Sequence, residues 1–541
     1  MLNGGSMRFD VFCAALMAGC LLTSLCALGA EPRVARYMKY NAGDFTIVTA
    51  RGADQSRQFM QDLAKFRVTL EKMLGKRATR SVSPTTIVIA NGADWNKYLI
   101  PRQNVAGFFQ QGHFVNYMAM NGDAPRAEAV HIILHEFTHF YLATQFSGEY
   151  PPWFNEGLAE LMGFAMFTDK GTALMQIPGY RAHAALEGDW IPFERLIKVS
   201  MRDPEYQSHQ LSDNFYAQAW LTVHYGFIEN RKFGAQMTTY LNQLNTLHPH
   251  DEAARTAFGD DLGAVDQQLR EYSRNNHMSS GSIALGEVPT FALPEGKPVE
   301  PIDALAILAD VMLESRVYPD RIRPLVESMV RREPGAARSA IFAARLAQLD
   351  QDDAAFDAAT TAAEGLLAPN DWLQRRELAS VLLASARDFS PFSKRTSAQS
   401  ERDLNRAMKW FGEAIGHNHE DVEALWGFGT AATELHKNLE LAEQALVAAN
   451  LRAPGSAEIA MSLASVKSQQ DMPDEMIPYL KDTIRYSDNL QVRQWAVETL
   501  ERTQRYIAER ERSLAEEKKQ REDYEKTIAE YEKKYGKRKQ K

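Results

Sequence analysis

Apolar positions recur with two different periods along this 541-residue chain, and the switch between them divides it. From residue 31 to about 280, short β-branched runs (Phe45–Ala50 and Thr85–Ala90) flank a stretch of helical spacing, Asp54–Leu74. Phe108–Met120 predicts a hairpin turning at Gln111-Gly112. Beyond Pro125 the spacing is mostly helical, with a loop through Ser147–Pro152. Residues 281–302 are rich in Gly and Pro and read as a linker. From 303 to 500 the chain turns into Ala- and Leu-rich helices whose breaks recur at solenoid-like spacing. Asp421 and Ser456 stand 35 residues apart, and at that offset Gly429 falls on Ala464, where small residues let paired helices approach. About four degenerate repeats fit, with Asp388–Glu401 as an insertion; an irregular helical domain is the plainer alternative. The last segment, 501–541, holds 10 acidic and 14 basic side chains with little apolar stripe. It reads as a charged helix held by i,i+4 pairs, or as a disordered tail.

Composition narrows the classes. With 45% hydrophobic and 24% charged residues, the chain is neither disordered, collagenous nor a disulfide scaffold. A net charge of -9 gives no electrostatic case for nucleic-acid binding. The three cysteines, Cys13, Cys20 and Cys26, all lie in the apolar run Val11–Ala30, which follows Arg8 and precedes Glu31-Pro32. That run is long enough to span a bilayer, yet its position and its small closing residues fit a cleaved signal peptide, residues 1–30. A retained anchor or a lipid on Cys20 are the alternatives, and either is the route to membrane contact. The expectation is an exported protein, periplasmic or secreted. Cleavage after Ala30 leaves 511 residues without cysteine, so a metal site there must use His, Asp and Glu. Ten of the thirteen histidines precede residue 281, which points to that half for chemistry.

Val130–Ala143 reads VHIILHEFTHFYLA. On a helix, His135 and His139 lie about 40° apart round the axis and about 6 Å along it, so both imidazoles leave one face and can meet one ion. Glu136, about 100° round from His135, stands beside that ion and can take a proton from a water it holds. By composition alone an HExxH motif turns up in about two chains per hundred of this length, so a second segment is needed. Pro151–Leu161, PPWFNEGLAEL, supplies it. Glu156 can close a His2Glu site with one position open, and Glu160, one turn on, can accept the other ring N–H of a ligand histidine. His131 lacks a following Glu and is expected to be packed or capped; His113 and His224 are expected to be structural or surface residues rather than to assist the transition state, and Trp153 to pin the second helix.

HEFTH followed by WFNEGLAE resembles the gluzincin branch of zinc metallopeptidases, in particular the peptidase-MA-like domains of bacterial exported proteins, over roughly residues 80–275. The resemblance implies Zn2+ as cofactor, His135, His139 and Glu156 as its ligands, and Glu136 as catalytic base. It also implies that Tyr216, in DNFYAQAW, hydrogen-bonds the oxyanion of the tetrahedral intermediate. Aminopeptidases of this clan carry a Gly-x-Met-Glu-Asn strand whose Glu holds the substrate's amine. Val115–Gly122 (VNYMAMNG), matched to it here, has no Glu, which favours endopeptidase action, with that strand pairing an extended peptide. The expected architecture is an α+β zincin-like peptidase domain over 31–280, followed by an all-α solenoid resembling tetratricopeptide (TPR) repeats over 303–500. Its partners would be a peptide or protein substrate and a protein bound by the repeats. The competing class is a non-catalytic protein-binding scaffold in the cell envelope with a vestigial zinc domain.

Overall fold

The computed structural model describes residues 34–536, apart from 43–44, 76–83, 100–106, 111–115, 146–149, 209–210, 247, 276, 288–293, 315–318, 389–394 and 488–489. The export segment, the Gln111-Gly112 turn and His113 lie outside the described residues. The N-terminal strands are β1 (Tyr37–Ala42), β2 (Phe45–Thr49), β3 (Thr85–Ala90), β4 (Gly107–Gln110) and β5 (Asn116–Asn121), with helix α1 (Ala53–Leu74) between β2 and β3. The longer helices that follow are α2 (Arg126–Gln145), α3 (Pro152–Gly163), α4 (Gly179–Glu187), α5 (Ser212–His224), α6 (Arg231–Asn245), α7 (His250–Phe258) and α8 (Leu262–Ser273). Strands β6 (Ala165–Phe167) and β7 (Thr172–Met175) interrupt them, and β8 (Gly281–Ala284) and β9 (Lys297–Val299) close this half.

Six strands form one sheet in the order β4-β5-β3-β2-β1-β9. Strands β2, β3 and β5 run parallel, with β4 antiparallel on one edge. Because side chains alternate across a strand, Ile87, Ile89, Met118 and Met120 enter the core shared with α1 and α2. Their neighbours Val88, Ala90, Tyr117 and Ala119 enter a second core on the opposite face. A sheet buried on both faces reads as the continuous apolar runs seen in the sequence.

That second core corrects the linker reading. Its other wall is helices α9 (Pro301–Glu314) and α10 (Pro319–Arg332), through Leu305, Leu308, Met312, Ile322 and Leu325. Within 281–302, β8 pairs with β7 and β9 pairs with β1 on the far edge of the large sheet. Lys72 Nζ on α1 donates to Ala284 O at 2.7 Å, tying the segment down further. Gly and Pro misled here because β9 has only three residues and lies on an edge, where Pro298 removes no ladder bond that matters. The first helical hairpin therefore belongs to the N-terminal fold. A second correction concerns the peptide-pairing strand: β5 lies between β4 and β3 and has no free edge. On that side of the sheet the edge strand is β4.

Helices then repeat in pairs: α11 (Ala337–Leu349) with α12 (Asp353–Leu366), α13 (Trp372–Ala386) with α14 (Ser397–His417), α15 (Val422–Glu434) with α16 (Leu439–Arg452), and α17 (Ala457–Gln469) with α18 (Pro473–Tyr486). With α9 and α10 these make five hairpins among the described residues. The first helices begin at 301, 337, 372, 422 and 457; the one long interval, 372 to 422, holds the insertion. The turn inside three pairs uses a residue of positive φ at one repeat position, Gln351, His436 and Asp471. Gly429 is required for close packing: a Cβ there would lie 2.9 Å from the Ala442 carbonyl oxygen. A single helix of 46 residues, α19 (Leu490–Tyr535), ends the described chain. No helix among the described residues is long and apolar enough to cross a membrane.

Candidate metal centre

Helix α2 lies on the sheet through Phe137, which sits in the apolar core with Phe45 and Phe66 on either side at 6.1 and 5.8 Å between ring centroids. The opposite side of α2 carries His135 and His139. Helix α3 starts at Pro152, where the missing N–H leaves no intrahelical bond unmade. It is held against α5 by a backbone approach that only glycine permits: a Cβ on Gly157 would lie 2.4 Å from Ala219 O. Trp153, fully buried, anchors the same helix as expected. The packing brings Glu156 under the two histidines.

His135 Nε2 and His139 Nε2 are 3.1 Å apart, and Glu156 Oε2 lies 3.3 and 3.5 Å from them. Ligand atoms around a tetrahedral zinc with bonds of about 2.0–2.1 Å stand about 3.3–3.4 Å apart. The three donor atoms therefore suit one such ion, and Glu156 Oε2 is buried without a hydrogen bond of its own. The outer ring nitrogen of His139, Nδ1, lies 2.9 Å from Asn155 Oδ1 and donates to it, which leaves Nε2 with its lone pair directed inward. The electrostatics agree. Burial alone would depress His139, but Glu156 lifts it to about 9; burial alone would raise Glu156, but His139 and His135 hold it well below the usual carboxylate range. Glu156 is thus a buried carboxylate balanced only by a titratable imidazole, whose proton a divalent ion would displace.

Around this centre the structure brings together most of the expected residues, with some altered roles. The Glu136 carboxylate accepts the Phe109 N–H of β4 at 2.8 Å, so it stands between the metal ligands and the β4 edge of the sheet. Glu160 is 3.7 Å from His135 Nδ1, beyond hydrogen-bond range, and both its oxygens are taken by Arg181 of α4 at 3.0 Å. The outer-partner duty expected of Glu160 is met, for His139, by Asn155. Tyr216 lies close enough for the charge of Glu156 to act on its hydroxyl. It neighbours Tyr206, with rings 6.2 Å apart, and Tyr206 donates to Glu156 Oε1 at 2.8 Å. Burial first, then the charge of Glu156, keeps the Tyr216 hydroxyl protonated far above neutral pH. His131 stacks on Phe164 at 4.1 Å, and burial lowers its pKa. Its imidazole also forms a second His-His-Glu group with His135 and Glu160, in which Arg181 already neutralises the carboxylate. His224 is structural: Tyr272 OH lies 2.7 Å from Nδ1 and Ser279 O 3.1 Å from Nε2. Sequence reasoning missed Asn155, Arg181 and Tyr206. Asn155 was signalled by its place beside Glu156 in WFNEG; the other two carry no local mark.

No family model matches the chain, and no curated protein matches it in sequence. The helical region is similar to two solved structures. One is TTC0263, a thermophilic TPR protein in Thermus thermophilus (17% identity over 37% of this chain and 98% of that one, TM-score 0.29). The other is YrrB, a TPR protein with an unusual peptide-binding site (14% identity over 36% of this chain and 90% of that one, TM-score 0.27). The chain itself is a mixed α/β N-terminal region followed by a long all-helical region.

Proposed function

We propose that this chain is an exported zinc metallopeptidase acting as an endopeptidase, with its helical array recruiting the protein substrate or a partner. The observation that carries the proposal is the convergence of His135, His139 and Glu156 on one ion-sized point with Glu136 alongside. Those three side chains would hold the metal. A bound zinc ion supplies Lewis acidity, polarising a carbonyl and acidifying water. The chain's own groups do the rest. Glu136 takes the water's proton and returns it to the leaving amine; the Phe109 N–H fixes one of its oxygens and leaves the other for the proton. Tyr216, kept protonated, is the donor for the developing oxyanion, and Tyr206 holds Glu156 in place. Strand β4 offers the edge on which an extended peptide would pair. Its sequence, Gly-Phe-Phe-Gln, contains no acidic residue to select a free amino terminus.

Metal content and peptide cleavage, measured together on the wild type and His139→Ala, test this reading. Stoichiometric zinc and cleavage in the wild type, both lost in the variant, support it; zinc-free wild type overturns it. The scaffold reading rests on the five helical hairpins, and a pull-down that needs residues 301–486 but not Glu136 would favour it. Export is tested by the N-terminus of the mature protein, expected at Glu31.

A further inference from the structure

Helix α19 leaves the body of the protein at about residue 509 and runs exposed to Gly536, a length of about 40 Å. Basic residues recur every seven positions on one of its faces (Arg505, Arg512, Lys519, Lys526, Lys533), with acidic ones recurring beside them (Glu509, Glu516, Asp523, Glu530). These i,i+3 and i,i+4 neighbours account for the helix. They do not account for a third stripe. Ile507, Leu514, Tyr524, Ile528, Tyr531 and Tyr535 fall on one seam of 3–4 spacing, interrupted by Arg510, Glu517 and Arg521. Leu514, Tyr524 and Tyr531 are 56%, 67% and 56% exposed.

We propose that this seam joins two copies of the chain as an antiparallel coiled coil centred between Glu517 and Arg521. In that register Leu514 faces Tyr524 of the second copy, Ile507 faces its Tyr531, and Glu517 faces its Arg521, each pair occurring twice by symmetry. Arg510, held by Asp474 at 3.5 Å, lays its aliphatic stem over Ile528 of the second copy. Charge fixes the orientation. A parallel pair would stack Arg510, Glu517 and Arg521 each on its own like, three repulsive layers. Sliding the antiparallel pair by one heptad sets Arg510 against Arg521 in one direction and buries Glu517 against Ile528 in the other. Only the stated register sets Glu517 and Arg521 against each other, while Arg510 keeps its partner Asp474 within its own chain. The two bodies then lie at opposite ends of the pair.

Sedimentation equilibrium on the full chain tests the proposal. The wild type is expected to dimerise, and Arg521→Glu or Glu517→Arg to weaken the dimer about tenfold or more. The double reversal E517R/R521E restores it, because an antiparallel pair again sets opposite charges face to face across the two copies, whereas a parallel pair keeps like against like. Arg512→Glu, on the outward face, leaves the dimer unchanged. A monomeric wild type, a dimer indifferent to the single reversals, or a double variant that fails to recover overturns the proposal.

Discussion

Both halves of the molecule bury carboxylates, and they neutralise them differently. In the helical array, Asp403 is fully buried and faces Arg395, with Arg402 and Arg406 each at 3.3 Å. Arg395 in turn reaches Asp353 at 3.1 Å. The set is balanced by covalently fixed charges, so its purpose is met when the helices pack. In the α2–α3 pair, Glu156 is also buried but faces two imidazoles and a tyrosine hydroxyl, none of them a permanent cation. A fold that only needed stability would pair Glu156 as it pairs Asp403, or replace it with an apolar side chain. The first arrangement is complete as packed; the second leaves a His-His-Glu group that could hold a metal ion.

The widest separation between the two is expected from substitutions at their centres. Glu136→Gln should retain zinc and lower peptide hydrolysis about 10²- to 10⁴-fold, the usual worth of a positioned general base, with no loss of stability. Equal cleavage by the variant would remove Glu136 from the chemistry. Arg395→Ala should do the reverse. Asp403 loses its closest cation inside the array, at a cost of about 3 kcal/mol in urea unfolding, while zinc content stays unchanged. Tyr206→Phe comes next: with its hydrogen bond to Glu156 gone, zinc affinity should fall about 10- to 100-fold by competition with a chelating dye, and stability should change little. If Tyr206→Phe instead lowers stability in urea and leaves zinc affinity unchanged, Glu156 is a structural carboxylate and the contrast with Asp403 disappears.

Much of the site was legible because it is local. Two histidines four apart on one helix must share a face, and their Nε2 atoms do meet at 3.1 Å. Glu156 could be read because a second short motif supplied it at a fixed remove. What the sequence withheld is non-local. Tyr206 and Arg181 reach the site from a short turn and from α4, with no spacing that ties them to Glu156 or Glu160. Strand order is hidden for the same reason: alternation marks the faces of β5 without saying that β4, not β5, is the edge strand on that side. The helical repeat was legible from its 35-residue offset, because repeated packing demands repeated small residues. The capture of its first hairpin by the sheet left no trace in that period.

The smallest effect sharpens the comparison from the array's side. Glu377, on α13, is a carboxylate there that is not well matched: burial, with help from Asp310 and Glu423, lifts it to about 7, against the opposing pull of Arg376 and Arg345. A carboxyl that is harder to ionise folded than unfolded holds its proton more tightly in the folded state. Its contribution is therefore fully present below the ordinary glutamate range and is lost as pH rises through about 7. Glutamine cannot ionise, so Glu377→Gln removes this one slope and leaves every other titrating group in place. The melting temperatures of the two proteins should be close near pH ~5, and the variant should become the more stable as pH rises towards ~8. The difference between the two curves isolates Glu377 even where the paired carboxylates impose the opposite trend on both. A difference that stays constant across that range would mean that Arg376 and Arg345 neutralise Glu377 as fully as Arg395 does Asp403.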